Sequence, residues 1–215
     1  HIGCNARNAI AACDRAAAGM GGPHDVLEGP FGYYTLIEAG GDLAPVLAEL
    51  GRVWRIGELS HKPFPCGRAT HGGVTGILRL KAAHAIEPGA VTAVRLIGPP
   101  LIHRLVARPD QADPPAHYAR LCMAYVGAVA LERGTVELVD FLPHRLRDPA
   151  LHQLAARVSV AIDDNQDANA LGPQRIEIHL ADGRVVATDV RDVLGSPASP
   201  LDRAAALAKF RQCCA

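Results

Sequence analysis

After Pro65 the apolar residues Val74, Ile77, Leu78 and Leu80 recur at three- and four-residue spacing, which predicts a helix. Residues 3 to 18 predict another, built from small side chains such as Gly3, Ala6, Ala9 and Ala12, with Gly19 as its C-cap. A loop over Val26 to Pro30 leads to a short helix near Tyr33, and a second short helix is expected from Leu43 to Leu50. Alternation of period two marks strands at Val91 to Ile97, imperfectly, and at Val158, Val160 and Ile162. Ile176, Ile178 and Leu180, followed by Asp182-Gly183 and Val185-Val186, predict a hairpin around a tight turn. Pro114-Pro115 opens one helix from about His117 to Arg133, closed by Gly134, and short helices are expected at residues 136 to 142 and 149 to 156. Gly195 to Pro200 reads as a linker before a terminal helix, Leu201 to Cys213. Strands and helices do not alternate regularly, so a doubly wound parallel sheet is disfavoured and the expected class is α+β.

The segment His61-Lys62-Pro63-Phe64-Pro65-Cys66-Gly67-Arg68-Ala69-Thr70-His71 interrupts these patterns. Prolines one residue apart cannot sit inside a regular helix, and each biases its predecessor toward extended backbone. The segment is therefore a stiff connector that carries cations into a helix start. Lys62 offers a point charge and Arg68 a planar fork for a carboxylate. His71, with an unperturbed pKa of about 6.5, is a candidate acid or base. The competing reading is a solvated connector whose basic residues only cap a helix. Cys66 beside His71 has the makings of a nucleophile, but a neutral thiol between prolines is more often structural. Tyr125, in an apolar helix, is expected in the core.

Composition narrows the choices. The chain has 215 residues, 49% hydrophobic but only 4% aromatic, so the core must be built mainly from aliphatic side chains. Lys plus Arg equal Asp plus Glu at 22 each, and no basic stripe is present, which disfavours nucleic acid as a partner. The longest uncharged apolar stretch, Leu121 to Leu131, falls short of the ~18 residues of a membrane span. The six cysteines include no Cys-x-x-Cys pair, so neither a disulfide framework nor a zinc site is expected, and reduced thiols suggest a cytoplasmic protein. The ten histidines lack metal-ligand spacing, and no metal is expected. Asp163 to Asn169 imitates a calcium loop but has Ala168 at the turn glycine and Gln174 in place of the closing Glu, so it is expected to be a polar loop. The chain starts at His1 in a helical pattern, and it is expected to be a piece of a longer protein.

Several motifs in order resemble the MmgE/PrpD (2-methylcitrate dehydratase) family. The connector resembles its Lys-Pro-(Tyr/Phe)-Pro-Cys-x-Arg-x-x-His segment. His1-Ile2-Gly3 with the Ala-rich helix resembles its His-x-Gly-x-Ala-Ala helix, and Leu27-Glu28-Gly29-Pro30-Phe31-Gly32 its Leu-Glu-Gly-x-x-Gly loop. Tyr125 to Gly134 resembles a lid helix, and Gly195-Ser196-Pro197 through Lys209-Phe210 the return segment. The resemblance implies the end of a helical domain over residues 1–60, an α+β lid over 61–193 and a return to the helical domain over 194–215. It implies a cytoplasmic homodimer of propionate metabolism, a cleft between domains, no cofactor and a small-molecule carboxylate substrate. Lys62 and His71 take the catalytic positions, with Arg68 and His1 binding substrate. The implied reaction removes a proton beside a carboxylate and expels a β-hydroxyl as water. The decarboxylase branch has histidine where this chain has Gly67, which argues against decarboxylation. Epimerisation, isomerisation or decarboxylation of a small di- or tricarboxylate, or a truncated non-catalytic dimerisation or binding module, are the rival readings.

Overall fold

The stripe Val74, Ile77 and Leu80 lies fully or almost fully buried on α4 (His71–His84), because that helix packs against a sheet and a second helix. The structure, a computed structural model, describes residues 2–38 and 40–214. Contacts divide the chain into two units, one running through Trp54 and one from Arg55 onward.

The first unit holds α1 (Ile2–Ala17), α2 (Tyr33–Leu36) and α3 (Ala44–Glu49). Gly19, at φ +87°, ends α1 by donating to the Ala16 carbonyl, as the sequence predicts. In the loop before α2, a Cβ on Gly29 would stand 2.6 Å from the Asp25 carbonyl oxygen. Only glycine permits that approach.

The second unit is an α+β layer. Its sheet contains β1 (Val91–Gly98), β2 (Val158–Ile162), β3 (Gln174–Leu180) and β4 (Val185–Val190), in the order β2-β1-β3-β4. The β1–β2 pair is parallel and the other pairs are antiparallel. The imperfect alternation of the first strand has a physical cause: a register shift between Val91 and Ala93 puts Val91, Val94 and Leu96 all inward. In β3, Ile176 and Ile178 point inward with Gln174 and Leu180. The solvent face carries a charge ladder, with Arg175 3.0 Å from Glu177 and 3.4 Å from Asp189.

The crossover from β1 to β2 runs through α5 (Pro100–Val106), α6 (Ala116–Ala119), α7 (Met123–Arg133), α8 (Pro143–Leu146) and α9 (Pro149–Ala155). The helix expected as continuous from His117 to Arg133 is broken. Cys122 is extended (φ −96°, ψ 110°) and separates α6 from α7. Its thiol lies 3.3 Å from the Arg108 carbonyl, and the Gly67 N–H donates to the Arg120 carbonyl at 2.8 Å. The Gly67 N–H thus satisfies an Arg120 carbonyl that the break leaves without its helical partner. The segment expected as one helix over 136–142 is a 3-10 turn, Leu138–Phe141, followed by α8, whose first residue is Pro143. The terminal helix α10 (Arg203–Cys214) completes the unit.

Close packing of α4 explains its glycines. A Cβ on Gly76 would stand 2.5 Å from Ile176 Cδ1, and one on Gly73 2.6 Å from Met123 Cε. Lys81 ties α4 to the end of α7 by donating to the Leu131 and Glu132 carbonyls. Tyr125 is fully buried in α7, and its hydroxyl donates to the Asp140 carbonyl at 2.6 Å, consistent with its expected core position. At the end of α4, Ala85 occupies left-handed backbone (φ +48°), where an L side chain is strained. Ala85→Gly is expected to raise unfolding free energy by about 0.5–1 kcal/mol. A urea midpoint unchanged or lowered would refute that strain. Among the described residues, no helix is long and apolar enough to cross a membrane.

Candidate functional site

Pro63 and Pro65 keep the connector out of helix, and the chain turns helical only at the 3-10 turn Arg68–Thr70, which leads into α4. Both ends of the connector are pinned. His61 N–H donates to the Gly195 carbonyl at 2.7 Å, and the ammonium of Lys209, on α10, donates to the Lys62 carbonyl. Gly195 sits at φ +87°, and a Cβ there would stand 1.9 Å from the His61 carbonyl oxygen, so this seam requires glycine. In the middle, Phe64 and Cys66 are buried; the Phe64 ring lies edge-on to the His71 imidazole at 5.4 Å.

An open cavity of about 460 Å³ lies against this connector. Lys62, His117, Arg120 and Lys209 supply its basic lining, and Cys66 and Leu138 are among its other walls. Among the described residues, no acidic side chain lines it. A second hollow of about 390 Å³ shares Lys62 and Lys209 with it and is otherwise walled mainly by apolar residues of the return segment, including Leu201 and Phe210. A cavity lined by cations without carboxylates favours an anion, and multiple cations favour more than one carboxylate.

The residues singled out from the sequence have separate placements. Lys62 lines the cavity, with its ammonium 3.4 Å from the Cys66 carbonyl oxygen. Arg68 is half-buried and reaches Ser60 Oγ at 3.4 Å, while its buried Nη1 has no hydrogen-bond partner among the described residues. Burial lowers the pKa of that guanidinium. His71 is fully buried in the first turn of α4, with Nε2 3.4 Å from the Cys66 carbonyl oxygen and Nδ1 unpartnered. Its pKa is lowered to about 4, chiefly by burial and further by the positive charges of Arg68, Lys62 and Lys209. His1 lies outside the described residues. Lys62 and His71 thus both reach the Cys66 carbonyl oxygen, at 3.4 Å each, the lysine lining the cavity and the histidine buried in the core.

Cys66 is buried, and burial pushes its thiol pKa up to about 11. The Thr70 hydroxyl lies 3.1 Å from its sulfur and 2.8 Å from the Gly67 carbonyl oxygen. A thiol so protonated is a poor nucleophile near neutrality, which supports its structural reading. Arg120, His117 and Lys209 are the basic lining residues not nominated from the sequence. The available signal was slight: Arg120 is the last charge before the uncharged run Leu121–Leu131.

Burial of a neutral His71 has a pH consequence. Its folded pKa lies below the unfolded value of about 6.5, so protons bind the unfolded chain first. The stability it contributes is complete above about pH 6.5 and is lost as pH falls toward 4, about 3 kcal/mol in all. Between about pH 7 and about pH 4 the wild-type unfolding free energy is expected to fall about 3 kcal/mol further than that of His71→Gln. Parallel pH curves in urea unfolding would exclude it.

Residues 64–215 match the family model of the MmgE/PrpD C-terminal domain. The chain belongs to the MmgE/PrpD family. No curated protein matches it significantly. The MmgE/PrpD match covers Arg68, His71, Arg120 and Lys209 and opens two residues after Lys62, so most of the cavity wall belongs to the C-terminal domain itself. Among the described residues, no cluster of His, Cys, Asp and Glu is arranged to hold a metal ion. The Asp163–Asn169 segment folds as a loop of short side-chain turns, with Asp163 Oδ1 accepting from Asn165 N–H at 3.0 Å and Asp167 Oδ1 from Asn169 N–H at 2.8 Å.

Proposed function

We propose that this MmgE/PrpD chain serves a cofactor-independent lyase that dehydrates a 2-methylcitrate-like di- or tricarboxylate. The observation that carries the reading is the cavity lined by Lys62, His117, Arg120 and Lys209, with no carboxylate in its wall among the described residues. Removing a proton beside a carboxylate moves negative charge onto that carboxylate's oxygens. Fixed cations at those oxygens stabilise the enediolate more than the ground state, which lowers the barrier. Lys62 takes that role in the proposal. A β-hydroxyl then leaves as water and a carbon–carbon double bond forms.

The proton needs a carrier. His71 fits poorly at the reacting carbon, because it is buried behind Cys66 and its pKa of about 4 leaves it neutral at physiological pH. In the proposal His71 holds the connector turn through the Cys66 carbonyl, while His117, which lines the cavity, carries the proton. Arg68 supports the connector at Ser60 and extends the positive field. Gly67 favours dehydration over decarboxylation by family pattern, and its site is tight. A side chain at that position would have to displace Leu121, whose Cδ2 lies 2.6 Å from where a Cβ would stand.

The direct test is incubation of the intact protein that carries this chain with 2-methylcitrate, following the absorbance of the conjugated product and its mass, 18 Da below the substrate. Product with an unchanged mass, formed by inversion of a centre, would replace dehydration by epimerisation. No turnover and no binding of any di- or tricarboxylate would overturn the proposal.

A further inference from the structure

The break between α6 and α7 has a chemical result beyond its effect on the fold. It leaves Arg120 at the end of α6 with its carbonyl held by Gly67 N–H at 2.8 Å, so its main chain is fixed to the connector that carries Lys62. Its guanidinium carbon lies 5.2 Å from the centroid of the Phe141 ring, and Phe141 is buried. Stacking against a fixed ring restricts the plane of the fork. Among the described residues, its buried Nε has no hydrogen-bond partner and no acidic side chain lines the cavity beside it. Its Nη atoms make no hydrogen bond or ion pair among the described residues, and a planar carboxylate in the cavity accepts from both in one bidentate contact. The lysines of the same cavity differ. Lys62 and Lys209 are point charges on flexible stems, and each already donates to a carbonyl of the connector.

We infer that Arg120 is a specificity-determining residue of the cavity: it orients the third carboxylate of a tricarboxylate, while Lys62 and Lys209 serve the other two. The inference rests on the carboxylate-binding reading of the cavity and adds a division of labour among its cations. A dicarboxylate leaves the Arg120 fork empty and depends on the lysines alone. A tricarboxylate fills it.

Calorimetric titration of the intact protein with tricarballylate and with glutarate tests this. Arg120→Gln is expected to weaken tricarballylate binding about 10- to 100-fold and glutarate binding less than about 3-fold. Arg120→Lys, which keeps the charge but lacks the fork, is expected to fall between wild type and Arg120→Gln for tricarballylate. Added guanidinium ion is expected to restore tricarballylate binding to Arg120→Ala, which a purely structural role for the side chain would not allow. Circular dichroism and melting of each variant separate misfolding from lost recognition, and Arg120→Lys carries the test if the shorter side chains unfold the protein. Equal weakening of both acids, or failure of guanidinium rescue in a folded variant, would overturn the role of Arg120 while leaving the cavity intact. Wild-type protein that binds neither acid would overturn the carboxylate reading itself, and the inference with it.

Discussion

Replacing Lys62 with Ala is expected to lower kcat/KM for a 2-methylcitrate-like acid by about 100- to 10,000-fold while leaving the melting temperature within a degree or so. The two halves of that expectation come from different atoms of the same residue. The connector is held by backbone groups that survive the substitution: His61 N–H on the Gly195 carbonyl, and the Lys62 carbonyl accepting from Lys209. The Lys62 side chain contributes only one long contact to the fold, 3.4 Å to the Cys66 carbonyl oxygen, and it is not ion-paired among the described residues. Its removal therefore costs little stability. The cavity would lose the cation placed on the rigid connector, where a developing enediolate would meet it. Lys62→Arg, which restores charge with a bulkier and planar head, is expected to recover binding more than turnover. Steady-state kinetics with melting curves on the same preparations decide the matter. Near-wild-type turnover by Lys62→Ala would remove this residue from the mechanism.

The largest stability effect is expected at Asp140. It is fully buried in the 3-10 turn Leu138–Phe141, and its carboxylate has defined partners. Arg133 donates to Oδ1 at 2.6 Å, and Glu137 N–H to Oδ2 at 2.7 Å. Its carbonyl also accepts from the Tyr125 hydroxyl, so the turn is stitched to the core of α7. Asp140→Ala leaves the part-buried Glu137 amide without its acceptor and takes one carboxylate from Arg133. Arg133 is about one-third exposed and keeps Glu137 at 3.1 Å, so its share of the loss is screened. The expected cost is about 2–4 kcal/mol, measurable as a lower urea midpoint. Because the same turn carries Phe141 under Arg120 and Leu138 in the cavity wall, tricarboxylate binding is expected to weaken as well. A loss below about 0.5 kcal/mol would show that the turn holds without its carboxylate.

Much of the secondary structure is legible because it is written in short-range pattern. The hairpin of β3 and β4 follows from alternation around Asp182-Gly183, with Gly183 at φ +87° in the turn. The ends of α1 and α7 follow from Gly19 and Gly134, both at positive φ. The connector follows from Pro63 and Pro65. The break after Arg120 is not legible this way. Nothing in Ala119 to Met123 disfavours helix strongly, and the compensating bond comes from Gly67, distant in sequence. The site is divided similarly. Lys62 stands out by its place beside two prolines. Arg120 and Lys209 read as ordinary basic residues of helices until the fold sets them around one cavity with Lys62.

His71 shows the same division within a single residue. Its sequence position, at the start of a helix after a basic connector, suggests a solvent-facing acid or base. Its burial beneath Phe64 and Cys66 removes water and lowers its pKa to about 4. The sequence by itself determined the α+β class, most of the helices and strands, and the stiff basic connector, because backbone sterics and hydrophobic period act over a few residues. Only the tertiary structure decided which cations share a cavity, which histidine is sealed in the core and where α6 must stop, because desolvation and hydrogen-bond exchange depend on neighbours that the chain brings together from far apart.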